Sequence, residues 1–214
     1  MLVRSLFYFG LIGPLLFIAV FTIEGLRRPG YNPVYHMVSS LSSGPNGWIQ
    51  IANFIICGAS ILSIALGLGV ANITDHASII GITMASILGT SLIAAGVFVT
   101  DSVLGYPKGA ESKVSRRGQL HNLFSLIVFG SVPFVILIMA FVFKDAFDWN
   151  GWFAYSITSM ILFTVTFLAF ISASVLVEIK KLKTAPIGLL QRLTIIIGWT
   201  WISIFSYLLS QKLT

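Results

Sequence analysis

Six apolar runs, each long enough to cross a bilayer, govern what this chain can fold into. They cover residues 5–23, 48–71, 78–100, 120–143, 151–177 and 186–210. About 20 apolar residues cross the hydrocarbon core as an α-helix. Backbone N–H and C=O groups in hydrocarbon must pair with each other, which leaves helices or closed barrels. Continuous apolar runs of this length select helices. Composition agrees: 57% of the 214 residues are hydrophobic and 9% are charged, against about a quarter charged in soluble domains. The expectation is an all-α fold, an integral membrane bundle of six transmembrane helices forming one domain over residues 1–214. The first run follows Arg4 like a signal peptide. It is longer than an ordinary signal core and no small-x-small site follows, so it reads as a retained helix.

The loops between the runs are lopsided in charge. Loops 24–47, 101–119 and 178–185 hold Arg27, Arg28, Lys108, Lys113, Arg116, Arg117, Lys180, Lys181 and Lys183. The opposite side has Arg4, Lys144 and Lys212. Basic residues accumulate on cytoplasmic loops. The expected topology therefore has those three loops in the cytoplasm and both termini outside. The net charge of +6 then faces the anionic cytoplasmic leaflet. Nucleic acid is excluded as a partner, because binding it needs one clustered basic face.

Packing signals are also present. Gly81, Ala85 and Gly89 form a small-residue stripe, as do Ala59, Ser63 and Gly67. Such stripes let helix backbones approach closely, and the two are expected to face each other within one hairpin. The five tryptophans lie mostly near run ends, which is the position of an interfacial belt. Cys57, the lone cysteine, sits in an apolar run and reads as a small core residue.

The polar chemistry gathers on the basic side. Loop one, residues 24–47, carries Glu24, Arg28, Tyr31, His36 and Ser39. Asp101 ends the third run, His121 opens the fourth and Arg192 lies just inside the sixth. Charged groups at membrane depth are costly and usually functional. Asp101 and His121 begin consecutive antiparallel helices at one depth, so a contact between Asp101 and either His121 or Arg192 is expected. In loop one, Tyr31, Val34, Tyr35, Val38 and Leu41 recur at three- and four-residue spacing. That spacing predicts a short helix from Pro33 to Ser42 that caps the bundle mouth. No metal and no cofactor is expected. His76 lies on the opposite side, no H-x-x-x-H or H-E-x-x-H occurs, and haem would want axial histidines at matched depth.

The segments RPGYNPVYHMVSSLSSGPNGWIQIANF, GVFVTDSVLGYPKG, GQLH and GLLQRL, in that order, resemble a family of bacterial and archaeal six-helix membrane proteins catalogued as domain of unknown function 998. The resemblance covers nearly the whole chain. It implies a six-helix membrane domain without an assigned activity, with Arg28, Tyr31, Ser39, Asp101, His121 and Arg192 among its characteristic positions. Family members often carry acidic residues where this chain has Ser40 and Gln191. The loop-one serine and later histidine also resemble, at fold level, eukaryotic membrane proteins linked to lipid-anchor remodelling.

Three functions follow as expectations. The first is a polar pocket at the cytoplasmic rim that binds an anionic lipid head group or similar amphiphile. Arg28, Tyr31, His36, Ser39 and Arg192 would hold the ligand, and Asp101 and His121 would orient or activate a group beside it. The second is a non-catalytic scaffold in which the same residues form a structural network. The third is a small-solute transporter, against which the charge-free span centres argue.

Overall fold

The computed structural model describes residues 1–71, 76–110, 114–147, 149–180 and 184–213. Lys113, Lys181 and Lys183 of the basic loops lie outside them. Among the described residues there are six long α-helices, all apolar enough to span a membrane: α1 (Leu2–Arg27), α2 (Gly47–Val70), α3 (His76–Val97), α4 (Arg116–Val142), α5 (Trp152–Lys180) and α6 (Ile187–Lys212). This is a multi-pass membrane architecture. Each helix packs on its neighbours in the chain, and α6 returns to α1, so the six close into a ring. α2 and α6 are the most enclosed helices, and α5 is the least.

Small residues set the closest approaches, with one revision to the expected pairing. The α2–α3 crossing is at Gly58 and Gly89. A Cβ on Gly58 would stand 2.6 Å from the Gly89 carbonyl oxygen, and one on Gly89 would stand 2.8 Å from that of Gly58. The Ser63–Gly67 side of α2 faces α1 instead: Ser63 Oγ donates to the Leu6 carbonyl at 2.8 Å and Gly67 lies against the Phe7 ring. Hydrogen bonds between helices do part of the work that water exclusion does elsewhere. Ser206 Oγ donates to the Phe7 carbonyl at 2.7 Å and Asn53 Nδ2 to that of Phe17 at 3.1 Å.

The interfacial belt is only partly realised. Trp48 is exposed, but Trp152, Trp199 and Trp201 are no more than 1% exposed. Their indole N–H groups explain why two of them tolerate the interior: Trp201 donates to Ser156 Oγ at 2.9 Å and Trp199 to Cys57 Sγ at 3.0 Å. Cys57 is a buried core residue, as expected.

Candidate functional site

Loop one is held by two arginines, Arg28 across its two ends and Arg192 at its middle. Arg28 leaves α1 in an extended conformation. Its Nε donates to Glu24 Oε2 at 2.9 Å, its Nη1 to the Ser43 carbonyl at 3.1 Å and its Nη2 to the Asn46 carbonyl. The end of α1 is thereby tied to the start of α2. Both partners of the ion pair are 6% exposed. Arg27, its neighbour, is 71% exposed and reaches Glu24 only at 3.7 Å.

Arg192, on α6, holds the middle of the loop. Its Nη1 donates to the carbonyls of Pro33 at 2.7 Å, His36 at 2.9 Å and Gly188 at 3.0 Å, and its Nη2 to the Tyr31 hydroxyl. The Tyr31 hydroxyl donates onward to the carbonyls of His36 and Met37. The guanidinium also stacks over Phe21 and Tyr31. No carboxylate lies within ion-pair reach of Arg192 among the described residues. The first turn of a helix has free N–H groups, and α6 spends one on this loop: Leu189 N donates to the Val34 carbonyl at 3.0 Å. Gln191 Oε1 accepts from Val38 N at 2.7 Å. Gly188 makes the docking possible, because a Cβ there would lie 2.3 Å from the His36 carbonyl oxygen.

The expected Pro33–Ser42 helix is therefore replaced by a turn at 33–36 followed by a 3₁₀ helix, Val38–Ser42, whose five residues are all buried. The segment does cap the bundle. The rings of His36, Tyr31 and Tyr106 form a three-way cluster with centroids 5.1–5.4 Å apart, Tyr106 coming from the loop before α4. Asn32 N donates to His36 Nδ1 at 2.8 Å, so the neutral ring carries its proton on Nε2. Burial pushes the His36 imidazole below its ordinary value, against the Leu104 carbonyl and with some help from Arg192. Burial likewise raises the Tyr31 phenol, and Arg192 opposes that shift.

Asp101 and His121 come to the same end of α4 without touching. Asp101 accepts from Ser115 N at 2.9 Å and from Ser115 Oγ at 2.6 Å. Ser115 is the N-cap of α4 and accepts from Gly118 N, so Asp101 adds a negative charge where the helix dipole favours one. The carboxylate lies against Gly118, where a Cβ would be 2.0 Å from Oδ2. His121 follows one turn later and is 2% exposed. Its Nδ1 meets the carbonyls of Ala95 at 2.7 Å and Phe98 at 2.8 Å, and its Nε2 meets Ser125 Oγ at 3.3 Å. Asp101, His121 and Arg192 thus form no single hydrogen-bonded constellation. Arg28 and Arg192 act on loop one, Asp101 on the α4 cap, and His121 on the end of α3.

A cavity lies beneath the 3₁₀ cap, walled by every helix except α5. Its polar lining is Ser39, Ser125 and Gln191; Phe17, Phe54, Phe129 and Trp199 supply much of the rest. About 20 Å³ is open to the centre of a water molecule, enough for roughly one water. Ser39 Oγ and Gln191 Nε2 have no hydrogen-bond partner among the described residues. Sequence reasoning placed Ser39 but passed over Ser125, Ser115 and Gln191 as site residues. The N-cap preference for serine could have found Ser115, and the i, i+4 spacing from His121, which puts both side chains on one helix face, could have found Ser125.

A family model described as "Protein of unknown function (DUF998)" matches residues 11–207. The chain belongs to the DUF998 family. No curated protein and no solved structure matches it. The DUF998 match encloses both arginine ties, the cap, the cavity and the Asp101–His121 region. At the two positions where an acidic residue was expected from the resemblance, the DUF998 chain here has Ser40, whose buried Oγ lacks a partner among the described residues, and Gln191, whose amide oxygen accepts from Val38 N. A glutamate at 191 would keep that acceptor and remove the Nε2 donor that lines the cavity.

Proposed function

We propose that the protein lies in the cell membrane with both termini outside and loops 24–47, 101–119 and 178–185 in the cytoplasm. There it binds an amphiphile with an anionic head group in the cavity beneath loop one. The observation that carries this reading is the cavity's composition. Two unpartnered polar side-chain atoms, on Ser39 and Gln191, share it with an aromatic and aliphatic wall. A small set of placed polar groups in an apolar pocket is the usual make-up of a ligand site. Arg192, next to Gln191, is a buried cation without a carboxylate partner among the described residues, and its field favours an anion at the cavity mouth.

The two guanidinium groups are engaged by Glu24 and by carbonyls. Their part is therefore to shape the cap and supply field, and direct contact with the head group falls to Ser39, Gln191 and Ser125. In its closed form the cavity takes one water-sized group, so an acyl chain enters only when the Val38–Ser42 cap shifts. Tyr31 and His36 stand behind that cap.

The test is titration of the purified protein with lipids brominated on the acyl chain. Trp199 lines the cavity, so anionic brominated lipid should quench it saturably and zwitterionic lipid much less. Trp199→Phe identifies its share of the signal. Equal, non-saturating quenching by both lipids would remove the binding reading. The scaffold reading has one specific support, the full engagement of both arginines, and it expects that negative result.

A further inference from the structure

We propose that Ser125 and His121 form a nucleophile–base pair that transfers an acyl group from an ester-linked membrane amphiphile; this rests on the amphiphile-binding reading of the same cavity. The first observation is the histidine's tautomer. Nδ1 of His121 faces two carbonyl oxygens, those of Ala95 and Phe98, at 2.7 and 2.8 Å. Carbonyls only accept, so Nδ1 carries the proton and Nε2 is left with a lone pair. The Ser125 hydroxyl lies at 3.3 Å from that nitrogen. A base oriented by a third group and meeting a hydroxyl is the general arrangement of an activated nucleophile. Here the third group is a pair of backbone carbonyls at the end of α3.

The second observation is that the Ser125 hydroxyl is turned to the imidazole and not to a backbone carbonyl. Helical hydroxyls in membrane spans commonly donate to the carbonyl four residues back. Thr22, Thr83, Ser86, Thr164, Ser174 and Thr194 all do so, at 2.7–2.9 Å. Ser125 instead meets the imidazole of the residue four back. It is part-exposed and lines the cavity.

The third observation is the donor opposite. The Gln191 amide is anchored through Oε1 by Val38 N at 2.7 Å, and its Nε2 donors are left for the cavity that Ser125 also lines. A fixed amide N–H is the kind of group that stabilises a developing oxyanion. The apolar wall, including Phe17, Phe54 and Phe129, suits the acyl chain.

The chemistry balances within these groups. Ser125 Oγ bonds to the acyl carbon as its proton passes to His121 Nε2, and the carbonyl electrons move onto the oxygen facing Gln191. Collapse breaks the ester C–O bond, and the leaving alcohol takes the proton from Nε2. Water or a second alcohol then gives its proton to Nε2 and attacks the acyl-serine, and collapse breaks the Ser125 Oγ–acyl bond as Oγ takes that proton back from Nε2. The imidazolium formed on the way keeps both Nδ1 carbonyl contacts. The Asp101 carboxylate, packed from the preceding loop against the first turn of α4 at Gly118, favours its positive charge.

The experiment uses the full chain in detergent and a long-chain alkyl fluorophosphonate, which marks activated serines. Peptide mass spectrometry should find the adduct on Ser125. Ser125→Ala should abolish it, Ser86→Ala, outside the cavity, should keep it on Ser125, and His121→Gln should slow labelling by about a hundredfold or more, the usual contribution of a general base. Thermal unfolding of Ser125→Ala should match the wild type, because only one long hydrogen bond is lost. No adduct, an adduct on another serine, or labelling that ignores His121→Gln would overturn the pair. The same alkyl phosphonate without fluoride, followed by Trp199 fluorescence, separates the two readings. If it binds and no adduct forms, the cavity reading stands and the acyl transfer falls. If it does not bind, both fall.

Discussion

Arg192 on α6 donates through Nη1 to the carbonyl of His36, 156 residues earlier in the chain, at 2.9 Å. The same nitrogen reaches Pro33, so one side chain fixes the turn that starts the cap. Replacing it with methionine keeps the apolar stem and removes the donors. Each buried carbonyl left unpaired costs about 1–3 kcal/mol. Arg192→Met should therefore lower the thermal unfolding temperature in detergent and expose residues 33–42 to limited proteolysis. Arg192→Lys should recover only part of the loss, because a point charge cannot reproduce the guanidinium fork.

Gly188→Ala tests the same interface from the backbone side. The added methyl would stand 2.3 Å from the His36 carbonyl oxygen and 2.6 Å from that of Pro33. The turn must move, at a cost of about 1–3 kcal/mol for overpacking. Hydrogen exchange should rise in the 33–36 turn, whereas Gly69→Ala, where nothing lies within 4 Å, should leave it unchanged.

Glu24→Gln breaks the buried pair with Arg28 on one side. Uncompensated buried charge costs about 3–5 kcal/mol. The double replacement Glu24→Gln with Arg28→Met should cost less than the sum of the two single changes, although Arg28→Met also frees the Ser43 and Asn46 carbonyls. A double-mutant cycle of unfolding free energies reads that coupling, and strictly additive values would contradict it.

The cap should loosen in acid. The unfolded His36 imidazole takes up its proton near about pH 6.5, and the folded one only at lower pH because it is buried. Between those values the unfolded state binds more protons, so stability rises with pH there. His36 stabilises fully above about 6.5 and the contribution fades as pH falls toward the folded value. Protonation also breaks the Asn32 N–H to Nδ1 bond. Hydrogen exchange at residues 33–42 should increase below that pH in the wild type, and His36→Asn should flatten the dependence.

Single cysteines at Lys108 and Asn150, both exposed, test the topology, with buried Cys57 left in place. In intact cells an impermeant maleimide should label position 150 and spare position 108. The reverse pattern would turn the bundle over and put the cavity in the outer leaflet.

The spans, the hairpin order and the gathering of polar residues at one end are one-dimensional properties, and the sequence alone determined them. Twenty apolar residues must span, and backbone pairing in hydrocarbon makes them helical. Helix facing is different. Lipid and protein core are equally apolar, so hydropathy carried no signal that Trp152, Trp199 and Trp201 face inward or that Gly67 faces α1. Tertiary structure also decided loop one. Its spacing reads as a helix from Pro33, but the carbonyls of Pro33, Val34 and His36 accept from Arg192 and from Leu189 N of α6. Those are the groups an α-helix would use internally. Once a distant arginine and a free helix end compete for them, only the five residues after Met37 are left to coil, and they do so as a 3₁₀ turn. His121 was legible as a polar residue at a helix start. Its proton position was not, because the two carbonyls that set it belong to the last turn of another helix.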